Sequence, residues 1–242
     1  MRLFRVFILL LTATLFMFTS LATAQIRSIT WEIWDVSIYN IDTVNNSFDV
    51  REAYQIRFEG TFSVGVTSIQ QTNLEEIRHI QVYESGIPLD QSCSEQLGTY
   101  CVTLTSEGWL IEYNFFEPIT DAVQSFEIRY QVIGAVRVYD GGDQIWWTAI
   151  PEDHFGFPIE SSIVTVRMPP GLAPRSGIDP VMTYGATTSV SVFNELIVAQ
   201  ATSHISGQES LEIRVQFPHS PNARKPEWQA EFDLERQSSE SP

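Results

Sequence analysis

The sequence predicts an all-β protein, an antiparallel two-sheet β-sandwich of immunoglobulin-like architecture, preceded by a signal peptide. Three observations carry that expectation. Four segments alternate apolar and polar residues strictly, no segment beyond the first two dozen residues sustains a helical period apart from one near the end, and turn-forming residues separate about a dozen short apolar runs. Strict alternation gives each strand one buried face, which is the habit of antiparallel sheets.

The chain opens on "MRLFRVFILLLTATLFMFTSLATAQ", where Arg2 and Arg5 precede an apolar run from Val6 to Phe18 that closes in Ala22-Thr23-Ala24. This is the layout of a secretory signal peptide, residues 1–24, cleaved after Ala24. The alternative, an uncleaved membrane anchor, lacks a stop-transfer flank. Cleavage leaves 218 residues, enough for one β domain with a substantial core of its own. Because Arg2 and Arg5 leave with the leader, 12 basic side chains then stand against 30 acidic ones, a balance of −18, and Lys225 is the sole lysine. A chain so acidic repels phosphate backbones and anionic lipid surfaces, which excludes nucleic acid as a partner.

The first strand is expected over 29–39 and the second in "SFDVREAYQIRF", with Phe48, Val50, Tyr54, Ile56 and Phe58 on one face and Asp49, Arg51, Gln55 and Arg57 on the other. Between them Asn45-Asn46 suits a tight turn, because asparagine tolerates positive φ. Asn45-Asn46-Ser47 also spells a glycosylation sequon, which matters only in a host that glycosylates exported proteins. Strands at 62–69 and 77–84 lead to "CSEQLGTYC", in which Cys93 and Cys101 bracket turn residues. In an oxidising compartment that pair reads as a local disulfide, worth about 2–3 kcal/mol in the chain-entropy model.

A strand at 101–105 precedes "GWLIEYNF", which groups Trp109, Ile111, Tyr113 and Phe115. "SFEIRYQV" likewise groups Phe126, Ile128, Tyr130 and Val132, and "SLEIRVQF" groups Leu211, Ile213, Val215 and Phe217. Further strands are expected at 143–149, 161–168, 188–193 and 196–202, around the irregular, Pro- and Gly-rich stretch 168–180. Near the end "PEWQAEFDLERQ" spaces Trp228 and Phe232 as a helix would, with Pro226 suited to its first position. The organisation predicted is one β-sandwich domain over 25–222 and a polar C-terminal tail over 223–242.

Catalytic signatures are missing. There is no Gly-x-Ser-x-Gly elbow, no His-Glu-x-x-His and no phosphate-cradling glycine loop, and His79, His154, His204 and His219 are not at metal-ligand spacing. No metal or other cofactor is implied, and no nucleophile can be named, so the chain reads as a non-enzyme. Glu75-Glu76, Glu152-Asp153 and the Asp140/Asp143 pair are the acidic clusters. The last flanks Gly141-Gly142 and offers too few oxygens for calcium, so it reads as a hairpin turn with solvated aspartates.

The stretch "GGDQIWWTAIPEDHFGFP" is the one place that invites a ligand. A strand pleat sends Ile145 and Trp147 to one face and Trp146 to the other. Trp147 is then core, and an outward Trp146 beside Glu152, Asp153 and His154 would make a stacking platform for a sugar or an aromatic group. The competing reading folds "PEDHFGFP" back, with Phe155 and Phe157 packed on the Trp146 ring.

Taken in order, the leader, "WEIWDVSIYNIDTVNNSFDVREAYQIRFEGTFSVGV", "FEIRYQVIGAVRVYDGGDQIWWTAIPEDHFGFPIESSIVTVRMPPG" and "LEIRVQFPHSP" form a pattern. Over about residues 28–222 it resembles the N-terminal extracytoplasmic domain of the YciQ-like predicted membrane proteins, a domain of unknown function. Departures are visible: that family usually shows a Tyr-Trp-Asn type triplet where Trp146-Trp147-Thr148 stand, and an Arg-Asp-Ile-Pro-like segment where this chain reads "TSIQQTN". Its members usually continue into transmembrane helices, whereas no apolar run follows the leader here. The resemblance implies a membrane-associated envelope protein and carries over no catalytic residue. The expectation is an exported module that binds an envelope protein or a glycan; the alternatives are a glycan-active extracellular enzyme and a purely structural envelope domain.

Overall fold

A computed structural model describes residues 27–175 and 179–239; the expected signal peptide, 1–24, lies outside the described residues. The chain begins with a long hairpin, β1 (Ser28–Asp42) and β2 (Ser47–Glu59). Asn46 takes a left-handed φ of 50° in its turn, and the Asp42 carboxylate accepts the Val44 and Asn45 N–H groups at 2.9 and 3.0 Å. Those bonds, with one from the Asn45 side chain, hold the Asp42 carboxyl below its ordinary value. After Gly60 come β3 (Thr61–Gln70), β4 (Glu76–Glu84), β5 (Ile87–Pro88), β6 (Asp90–Gln91) and β7 (Thr99–Leu104). Then follow β8 (Gly108–Thr120), β9 (Val123–Ile133), β10 (Val136–Arg137), β11 (Asp143–Ile150) and β12 (Ile163–Arg167). The chain closes with β13 (Val181–Gly185), β14 (Thr188–Phe193), β15 (Leu196–Ala201), β16 (Leu211–Phe217) and the helix α1 (Gln229–Ser239).

The strands form three sheets: eight strands in the order β14-β15-β12-β1-β2-β9-β4-β5, and two sets of four, β10-β11-β16-β13 and β3-β8-β7-β6. Alternation predicted the faces well. Phe48, Val50, Tyr54, Ile56 and Phe58 of β2 are all buried. Phe48 meets Trp147 edge-on at 5.4 Å on the β11 sheet, while Phe58 meets Phe115 at 5.7 Å on the β8 sheet. One strand of the large sheet thus supports both small sheets, and their seam falls over its middle. Each such aromatic contributes roughly 1.5–3 kcal/mol by leaving water.

The pairing is not wholly antiparallel. β1 runs parallel to β12, with Val36, Ser37 and Ile38 opposite Val164, Thr165 and Val166, and β6 runs parallel to β7. The chain spends β10 and β11 in another sheet before returning beside β1, so β12 arrives running the same way. Cys93 and Cys101 form the expected disulfide, closing the loop between β6 and β7. Strands β5, β6 and β10 have two residues each and carry no period to read.

Residues 223–239, expected as a polar tail, are fastened to the β domain. Arg224 grips the Glu75 carboxylate at 2.7 and 3.0 Å, Trp228 Nε1 donates to Gly134 O at 2.6 Å, and the Gln229 amide bonds both the N–H and the carbonyl of Val138. The helix starts at Gln229, three residues after Pro226, whose carbonyl accepts the Gln229 N–H at 3.3 Å.

Candidate functional site

The seam between the small sheets leaves a cavity of about 330 Å³. Its origin is local. β10 pairs with only Gln144 and Ile145 of β11, so the remainder of β11 has an open edge. The end of β3 and residues 70–73 stand across that gap and complete the wall. Trp146 and Trp147 therefore both line the cavity despite pointing to opposite faces of β11, and Glu52 and Tyr130 form the floor.

Glu52 lies in phase with the buried face of β2 and is itself buried. Its carboxylate accepts the Tyr54 and Tyr130 hydroxyls, each at 2.6 Å, and Trp34 Nε1 at 3.2 Å. Burial raises its pKa above the ordinary glutamate value, and the three hydrogen bonds offset only part of that rise. The same burial, with the Glu52 charge, raises the phenols of Tyr54 and Tyr130.

The opposite wall holds Arg137, 5% exposed. Its guanidinium lies 4.6 Å from the ring centres of both Trp146 and Phe232 and 5.7 Å from that of Trp228. Burial pulls its pKa down from the ordinary arginine value. Trp146 stacks on Tyr184 at 5.2 Å and donates Nε1 to Glu212 at 2.6 Å. These contacts hold the indole at the rim of the cavity.

The expected ligand set does not assemble. Of Trp146, Glu152, Asp153 and His154, only Trp146 lines this cavity. His154 is 1% exposed, and its ring nitrogens face the carbonyls of Phe157 at 2.7 Å and Glu209 at 3.2 Å, so it serves the fold of its loop. Glu152 and Asp153 are exposed, and Asp153 accepts the Phe155 N–H. The competing reading also needs correction, because Tyr184 and Arg137 cover Trp146, not Phe155 and Phe157. Those two phenylalanines instead line a second, apolar cavity of about 230 Å³ with Trp31, Phe58 and Phe62. Trp147 is core, 8% exposed, as its phase with Ile145 predicts.

The Asp140/Asp143 turn differs from expectation too. Asp143 is not solvated; it is fully buried and accepts the Ser220 N–H at 2.9 Å, the Tyr139 N–H at 3.3 Å and a contact from His219 Nδ1 at 2.9 Å. Among the described residues, no group of three or more His, Cys, Asp or Glu side chains is placed to hold a metal ion. Glu52 had a signal in the sequence, as an acid at a core phase between Val50 and Tyr54. Arg137 had none, since Trp228 and Phe232 reach it from the far end of the chain.

An all-β domain in three sheets, with one half-polar cavity at their seam, is the class of protein these observations define. A family profile described as the N-terminal domain of a predicted membrane protein, DUF2207, matches residues 36–217. The chain belongs to that family, in agreement with the resemblance read from the sequence. Among the described residues no helix is long and apolar enough to cross a membrane. No curated protein matches the chain. Similar solved structures include a protein of Legionella pneumophila described as a candidate nutrient-binding protein, at 10% identity and a TM-score of 0.49 over 76% of this chain and 66% of that one. Another is an M1 zinc metallopeptidase from Deinococcus radiodurans, at 10% identity and a TM-score of 0.44 over 77% of this chain and 42% of that one. The chain thus spans less than half the length of the peptidase.

Proposed function

We propose that this domain is a non-catalytic binding module on the extracytoplasmic side of the envelope, exported by the leader and holding its ligand at the β11 edge. The single observation that carries this reading is the cavity itself, lined by two neighbouring tryptophans together with Glu52, Arg137 and Glu212. Ligand sites combine such aromatic surface with a few placed polar groups. The Cys93–Cys101 disulfide and the apolar run before Gln25 support an oxidising, exported setting. A sandwich-like placing of the small sheets against the large one, comparable to immunoglobulin domains, agrees with the shared aromatic contacts of β2.

Substitution separates binding from packing. Trp147→Ala is expected to cost about 3–5 kcal/mol in urea unfolding, the range for deleting a buried large aromatic. Trp146→Ala is expected to cost less than half of that and to abolish retention on a glycan array that the parent protein gives. Equal destabilisation by both, with array binding unchanged, would remove the cavity from consideration.

A second reading, a glycan-active enzyme, is favoured by one observation: Glu52 and Glu212 both line this cavity, and burial keeps the Glu52 carboxyl raised. Glycoside hydrolysis uses two carboxyl groups in unlike environments. Release of reducing sugar from array-positive glycans by the parent protein, lost in Glu212→Gln, would establish it in place of binding alone.

A further inference from the structure

The Arg137 guanidinium lines the cavity between aromatic rings. Its Cζ lies 4.6 Å from the centroids of both the Trp146 and the Phe232 rings, a cation–π contact with each. The five N–H groups lie in the guanidinium plane and need acceptors. Among the described residues, no hydrogen bond or ion pair to a carboxylate occupies them. The nearby carboxylates are engaged elsewhere: Glu212 accepts Trp146 Nε1 at 2.6 Å, and Asp233 accepts the Tyr139 hydroxyl at 2.9 Å and Lys225 at 3.4 Å. The edge of the guanidinium thus keeps hydrogen-bonding capacity for a ligand in the cavity that it lines.

Resting on the binding reading above, we propose that the cavity takes a carboxylate-bearing sugar, with the carboxylate paired to the N–H fork of Arg137. Arginine's planar fork matches a carboxylate through two parallel bonds. The rest of the ligand must offer hydroxyl groups. Glu52 accepts three donors, and a carboxylate has about four lone-pair sites, leaving one for a ligand hydroxyl. Gln70, Thr72 and Asn73 also line the cavity and add amide and hydroxyl groups, and the indoles of Trp146 and Trp147 add apolar surface. A phosphate dianion fits worse, because Arg137 is the one cation among the lining residues, which also include Glu52 and Glu212.

The net charge of −16 repels any anion at long range. Salt screens that repulsion more than it screens a buried pair, so affinity is expected to hold or rise between about 0.02 and 0.15 M salt. Anion capture by exposed cations would fall over the same interval.

The test is calorimetric titration of the full chain with D-galacturonate, D-galactose and galactose 6-phosphate. Galacturonate is expected to bind at least about tenfold tighter than galactose, the worth of a charge-assisted bidentate pair. Arg137→Lys, which keeps the charge and loses the fork, is expected to remove that advantage of galacturonate over galactose, with its fold checked by near-ultraviolet circular dichroism. The comparison between sugars on the parent protein stands even if the variant misfolds. Equal affinity for galacturonate and galactose would overturn the anion assignment and leave the binding reading intact. Tighter binding of the phosphate would overturn the carboxylate. No heat with any of the three up to about 10 mM, weaker than useful recognition, would end the proposal, whereas the binding reading falls only with the Trp146→Ala array result.

Discussion

A carboxyl group inside a β core sets its own pH dependence, and Glu52 does so with an uncommon sign. Its folded-state pKa stands above the unfolded one because burial outweighs the bonds from Tyr130, Tyr54 and Trp34. The folded protein therefore holds more protons between the two values, and stability falls as pH rises. The Glu52 contribution is full below the ordinary glutamate range and is lost as pH climbs through the folded value. Glu52→Gln keeps an acceptor and a donor in place without a charge. Its stability relative to the parent is expected to improve as pH rises above the ordinary glutamate range, read as the difference in urea midpoints. Parallel profiles for the two proteins would sink this account. Glu52→Leu leaves the Trp34, Tyr54 and Tyr130 donors unpaired and is expected to cost about 1–3 kcal/mol for each. The period-two pattern made Glu52 visible as an exception. It could not make Arg137 visible, because an arginine's ring neighbours are set by tertiary contact.

Among the elements, the first turn does more than join β1 to β2. Asn46 is buried, donates Nδ2 to the carbonyls of Val136 and Arg224, each at 2.7 Å, and accepts the Val136 N–H at 2.8 Å. One side chain thus fastens the hairpin, β10 and the segment leading into α1. The short β10 edge that opens the cavity hangs on this clasp. Asn46→Ala is expected to cost about 3 kcal/mol or more, since it orphans buried backbone groups and keeps a Cβ at a left-handed φ of 50°. Asn46→Gly relieves the backbone alone and should fall between. If both variants unfold within about 0.5 kcal/mol of the parent, the turn is only a turn. Asn45-Asn46 was legible as a turn from residue type alone. Its role as a clasp was not, because the three acceptors and donors lie 90 or more residues away. The same reason hid the docking of α1, whose helical spacing was legible but whose Gln229 is bonded to Val138, 91 residues away.

For the whole molecule, the sequence pattern located every described strand of six or more residues, and the core face of β2, β8, β9, β11 and β16, because a period of two is a local property. Sheet membership is not local. The split into three sheets and the parallel β1–β12 pair depend on where the chain returns, which no window of residues records. That pair has a temporal meaning as well as a spatial one. β1 is made first yet sits inside the eight-stranded sheet, and Asp35 must wait for Ile163, 128 residues later, whose N–H it finally accepts at 2.8 Å. At about 5–20 residues per second, synthesis leaves the β1 edge open for roughly 6–25 s. Long-range pairing also slows refolding into the millisecond-to-second range or beyond. In pulse-labelled hydrogen exchange, amides of β12 are expected to gain protection after those of the β1–β2 hairpin; simultaneous protection would contradict this order. During that wait Asp35 is a charge on a naked strand edge, which discourages a neighbouring chain from pairing there. The residue that receives β12 late in folding is thus the one that guards the β1 edge from aggregation at the start.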